Sequence, residues 1–163
     1  MFHMGHFTAA RQLQMQNVAA FKAAHETFRA AVGTGFLSYL EAKEGRHDDA
    51  RAMQREALDV FRAAGDRHWM VRELVLAAAS AVVAGHLERA AQLSRASDVL
   101  REPLGEIATP LKTLNLPDPA VQAREGLGDE AYERAYAAGR AMTQDEVVGL
   151  LAEVWTPWAT RMA

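Results

Sequence analysis

The chain contains no cysteine, which removes disulfides, thiolate metal sites and thiol nucleophiles in one step. That usage is consistent with a reducing compartment, and a cytoplasmic location is the expectation. Aromatic residues make up only 7%, and the alternating β-branched runs that build strands are missing, so a sheet protein is not expected. No stretch approaches the ~20 apolar residues of a membrane span, and MFHMGHFTAA at the start has no basic segment leading into an apolar run. Positive charge is not in excess either. With a formal charge of −3 and a pI near 6.1, the chain has no global field to attract nucleic acid or an anionic membrane, and neither is expected as a partner.

What is present is alanine, the best helix former, within a chain that is 50% hydrophobic. The 163 residues suit one domain of all-α structure. Three boxes stand forty residues apart: GHFTAA from Gly5, GRHDDA from Gly45 and GHLERA from Gly85. Each is followed by apolar residues at helical spacing, as in Ala50, Met53, Ala57, Leu58 and Phe61. Each glycine suits the left-handed position that ends a helix, and Asp48, Asp49 and Glu88 suit first turns, where the helix dipole favours anions. A second turn class repeats at the same interval in KAAHET and AAGDRH. The spacing predicts helices at about 6–23, 27–44, 47–63, 67–84 and 86–102, that is, helical hairpins with a period of about forty residues over 1–102. The first helix lacks a preceding partner in this scheme. Gly33 and Gly35 lie in the middle of a helix, where each costs about 1 kcal/mol relative to Ala, so they are expected to mark a close helix crossing.

Residues 103–118 hold Pro103, Pro110 and Pro117 in partly apolar surroundings and read as a loop that packs. Residues 119–163 form a small helical cap, with helices expected at about 119–126 and 129–140. A last one is expected from Gln144 to about Trp155, opened by the Thr143/Glu146 capping box.

The order Gly45, Ala50, Ala57, Leu58 resembles the second half of a tetratricopeptide repeat, in which small residues let two helices approach. The long period is similar to the variant found in the C-terminal regions of bacterial LuxR-type and related multidomain ATPase regulators. The tail strengthens that likeness, since GHLERAAQLSRASDVLREPLG followed by AREGLGDEAYERAYAAGRAMTQDEVVGLL is similar to the way those regulators end. The resemblance covers most of residues 45–153. It implies a non-catalytic module for interaction or sensing within a transcription regulator or signalling ATPase. The phosphate-binding loop G-x-x-x-x-G-K-[ST] is not in this sequence.

The same resemblance assigns an inner groove to alternate helices, lined by Val32, Gly35, Tyr39 and Lys43, then Arg72, Val75, Ala79 and Val83. Tyr39, Lys43 and Arg72 are its polar handles, with Lys43 and Arg72 suited to an anionic group on a peptide, a protein or a small effector. The other reading of this apolar face is that the chain's own C-terminal part fills it. A second candidate surface is self-association, a homodimer through the uncovered face of the first helix (Phe7, Ala10, Leu13, Phe21) or through Trp155 and Trp158.

Catalytic and cofactor chemistry finds no carrier. His3 and His6 have no nearby carboxylate to complete a metal site. HETFR from His25 begins like a zinc motif but has Arg29 in place of the second histidine. His47 and His86 lie beside hinge glycines, where exposed polar residues are the norm. Glu41, Glu44, Asp48 and Asp49 read as solvent-facing charges. Neither an enzymatic activity nor a cofactor or metal is expected. MTQDEVVGLLAEVW is acidic, with no basic face for DNA readout.

Overall fold

The computed structural model describes residues 2–105 and 109–152. Among them the chain is all α-helical: α1 (Phe2–Ala23), α2 (Thr27–Lys43), α3 (His47–Ala63), α4 (Arg67–Val83), α5 (Leu87–Arg101), a short α6 (Pro110–Thr113), α7 (Pro119–Leu127), α8 (Asp129–Arg140) and α9 (Gln144–Ala152), with one 3₁₀ turn at Glu102–Leu104. No helix among the described residues is long and apolar enough to cross a membrane.

The turns explain the regular spacing. At the end of α2 the Arg46 N–H donates to the Glu41 carbonyl (3.0 Å) and the Gly45 N–H to the Ala42 carbonyl (3.0 Å). These two bonds satisfy carbonyls that the helix end would leave orphaned, and they require a left-handed residue between them, here Gly45 at φ +82. The same pair of bonds recurs after α1, α3 and α4, around residues 25, 65 and 85. Glycine stands at two of those positions, whereas His25 holds the left-handed conformation (φ +58) with a side chain attached. The structural unit is therefore one helix and one turn, with a period of twenty residues rather than forty, and the two turn classes read from the sequence are one class. The first box behaves differently: α1 begins at Phe2, so Gly5 lies within a helix and not at a hinge.

Two antiparallel hairpins, α2/α3 and α4/α5, stack through α2 on α4 and α3 on α4. Alanines at the contacts (Ala31, Ala57, Ala77, Ala78, Ala81, Ala90, Ala91) bring backbones close, and Leu58, Phe61, Leu74 and Leu93 fill the space between them. Each of those larger side chains contributes on the order of 1.5–3 kcal/mol by leaving water. Helix α4 is buried nearly all round from Met70 to Ala81, whereas α3 buries only one face.

α1 packs on α2, where Gly33 makes room: a Cβ there would lie 2.8 Å from Val18 Cγ2, and Gln14 Nε2 donates to the Gly33 carbonyl at 3.1 Å. Gly35 serves the next crossing, since a Cβ there would collide with the Glu73 carboxylate on α4. The second half of the chain wraps the stack. α7 and α8 pack on α5, with Gly139 directly against the Gln92 backbone, and α9 returns to α3, where Arg62 pairs with Asp145. The capping box forms as expected: the Glu146 N–H donates to Thr143 Oγ1 (3.2 Å) and the Thr143 N–H to Glu146 Oε2 (2.6 Å).

Candidate functional site

The face made by α2 and α4 is covered by the chain itself. Pro110, at the start of α6, is buried, and Leu114 and Leu116 pack on a cluster of Tyr39, Leu76 and Ala79. Proline suits the first turn of a helix, and the turn is closed by the Leu114 N–H donating to the Pro110 carbonyl (2.8 Å) and the Leu116 N–H to the Leu111 carbonyl (2.9 Å). Residues 110–116 thus form a lid over the α2/α4 face.

The lid does not fill the space beneath it. A cavity of about 180 Å³ remains, lined by Val32, Phe36, Phe61, Trp69, Arg72, Glu73, Leu76, Pro110 and Leu114. Its aromatic wall is organised: Phe61 and Trp69 stack at 5.7 Å between ring centroids, and the Arg72 guanidinium lies 4.9 Å from the Trp69 centroid. Trp69 is placed by its own helix start, where its N–H donates to the N-cap carboxylate of Asp66 (3.1 Å). Arg72 and Glu73 are the only charged residues among the described residues lining it.

Glu73 is the exceptional residue. It is 3% exposed, its Oε1 has no hydrogen-bond partner among the described residues, and its carboxyl is pressed against Gly35. Burial pushes this carboxyl up to about 8, so the proton is held near neutral pH. Burial pushes the neighbouring Arg72 down from its ordinary value.

The expected groove residues do not converge on one site. Tyr39 is buried under the lid, and desolvation raises its phenol. Arg72 lines the cavity. Lys43 is exposed at the end of α2, its Nζ 6.0 Å from the Tyr39 centroid, and is not among the residues lining the cavity. Val75 turns to the other side of α4 and lines a second, polar cavity with Ser94, Ser97, Asp98, Arg101 and Thr109. Val83, 38% exposed, ends its helix near the surface. Of the self-association residues, Phe7 and Leu13 are exposed, together with Met15. Phe21 is half-buried, with Arg29 over its ring at 6.0 Å. Trp155 and Trp158 lie outside the described residues.

Glu41 also departs from expectation, being 2% exposed instead of solvent-facing. Its carboxylate accepts from Arg11 Nε on α1 (2.6 Å) and from Arg46 Nε in the following turn. Burial alone would raise it, but the hydrogen bonds from Arg46 and Arg11, with their charges, outweigh that and hold it below its ordinary value. It clamps α1 and a turn to α2.

Among the described residues no group of three or more histidines and carboxylates is placed to hold a metal ion. Comparison with protein-family models, with curated proteins and with solved structures returned no match to this chain.

Proposed function

We propose that the chain is a non-catalytic sensing module of tetratricopeptide type, of the kind carried at the C-terminus of LuxR-type and related ATPase transcription regulators, and that its effector is a small molecule held under the 110–116 lid. The observation that carries this reading is the lidded cavity itself, a space of about 180 Å³ walled by aromatic rings and lined by Glu73, whose buried Oε1 has no hydrogen-bond partner among the described residues. Binding sites for small molecules have this composition, an apolar wall with a few convergent polar groups. An open peptide groove is less well supported, because Leu114 and Leu116 already occupy the face that a peptide would use.

A ligand in the cavity would touch α2, α4 and the lid together, and so couple its own presence to the position of residues 110–116. Hydrogen exchange read during a metabolite screen tests this. A true effector raises the melting temperature, slows amide exchange in residues 110–116, and loses both effects when Leu76→Trp fills the cavity. A screen in which no compound slows exchange there sinks the reading.

A protein-interaction role through α1 has its own support in the exposed Phe7, Leu13 and Met15. It predicts a concentration-dependent mass in light scattering that Leu13→Glu abolishes.

A further inference from the structure

The sensing reading above leaves the ligand's chemistry open, and the cavity's own groups narrow it. From the placement of Glu73 we infer that the cavity takes a small apolar molecule bearing a primary ammonium group, with the ammonium on Glu73 and the apolar body against Phe36, Phe61 and Trp69. This rests on the proposed sensing function, and deepens it.

The size sets the first limit. An apolar cavity of about 150 Å³ admits benzene, so about 180 Å³ admits a single ring or a branched alkyl group with one polar substituent. The polar groups set the second. Glu73 Oε1 is buried without a donor among the described residues, and a buried acceptor left unmet is costly in a way that a donor on the ligand would relieve. Glu73 lines the cavity, and its Oε2 and Cδ lie nearer to Gly35 than Oε1 does, so Oε1 is the oxygen a ligand would meet. A cationic donor satisfies the oxygen's hydrogen-bonding need and favours the ionised form of the carboxyl, which burial alone disfavours, and the faces of aromatic rings attract the same cation.

Other ligand classes fit less well. A simple anion would place its charge beside a buried carboxyl, and Lys43, the second cation expected to receive it, is not among the cavity residues. A metal ion would find one carboxylate and aromatic rings. Arg72, drawn over the Trp69 ring at 4.9 Å, bears on where the ammonium comes from. A plain amine would not use it, whereas an α-amino acid would set its carboxylate on Arg72 while its ammonium meets Glu73.

Calorimetric titration of the full chain with three molecules of one shape, benzylamine, benzyl alcohol and toluene, tests the inference. Benzylamine is expected to bind at least about tenfold more tightly than the other two. Glu73→Gln is expected to remove that preference while toluene still binds, which shows that the variant is folded and its cavity intact. Phenylglycine identifies the source: binding that Arg72→Gln weakens, with benzylamine unaffected, marks an amino acid, and binding weaker than that of benzylamine marks a plain amine. Toluene or benzyl alcohol binding as tightly as benzylamine, or a benzylamine preference that survives in Glu73→Gln, overturns the amine inference and leaves the sensing reading standing. If none of the three binds, both fall.

Discussion

Two glutamates are buried to the same degree in the same stack of hairpins, Glu41 at 2% and Glu73 at 3% exposure, yet their surroundings are opposite. Glu41 meets Arg11 and Arg46, so both its oxygens are satisfied and its charge is matched. Glu73 meets the backbone at Gly35, aromatic rings and a cavity, and one oxygen has no partner among the described residues. The first arrangement stabilises the protein by joining α1 and a turn to α2. The second destabilises it, and a locally unfavourable group of this kind is the departure from a fold-optimal sequence that functional or strained sites carry. Burial of a carboxylate is therefore not in itself a sign of function. The sign is burial without a partner.

The largest expected effect that would break this comparison is at the clamp. Glu41→Ala removes the buried carboxylate that Arg11 and Arg46 share, and the hydrogen bond from Arg11 alone is worth about 1.5–3 kcal/mol, less what solvent screening of a partly exposed arginine takes away; the loss is measurable by urea denaturation. Acid should act in the same direction. Glu41 has a depressed pKa in the folded protein, so its contribution is present above the unfolded value and is lost as pH falls through the folded one.

Glu73 should give the reverse dependence. Its folded value near 8 lies above the ordinary 4.5, so between those limits the native state binds a proton that the unfolded chain does not. Stability then falls as pH rises, by up to ~1.4 kcal/mol per pH unit, and levels off above the folded value. The difference between the wild-type profile and that of Glu73→Gln, measured from pH 5 to 9, isolates this slope. If the two profiles run parallel, Glu73 is not buried without a partner.

A smaller effect is expected at Gly35→Ala, which drives a methyl group into the Glu73 carboxyl. Overpacking of this kind costs roughly 1–3 kcal/mol, and the double variant with Glu73→Ala should recover most of it. The smallest concerns the turns. His25 holds a left-handed conformation that glycine supplies at positions 45, 65 and 85, so His25→Gly should stabilise by roughly 1 kcal/mol. Thermal melts of that variant and of Gly65→Ala should shift in opposite directions.

How much of this could be read from the sequence depends on which physical signal each part carries. The helix limits were legible because every turn needs one left-handed residue, and glycine marks three of the four at a fixed interval. The fourth is hidden by His25, which is why the period read as forty. Gly33 and Gly35 were legible as close crossings because a helix interior offers no other reason for them, but which helices cross there was not, since that depends on how hairpins stack. The lid was half legible: the prolines marked a packed segment without saying that it would cover Tyr39, Leu76 and Ala79. Glu41 was misread as solvent-facing because its partner Arg11 lies thirty residues away. Glu73 was overlooked, although a signal exists. It is the only acid in RHWMVRELVLAAASAVV, a helix apolar on every side beyond its first turn, and such a helix is buried all round. A lone carboxylate in it has to be buried as well.

The most direct test of the account is the ionisation of that single group. A ¹³C measurement at Glu73 Cδ, assigned by comparison with Glu73→Gln and followed from pH 4 to 9, should show a midpoint near 8 that moves downward when benzylamine is added. A midpoint near 4.5, unmoved by the amine, would show a solvated or already partnered carboxylate and contradict the account.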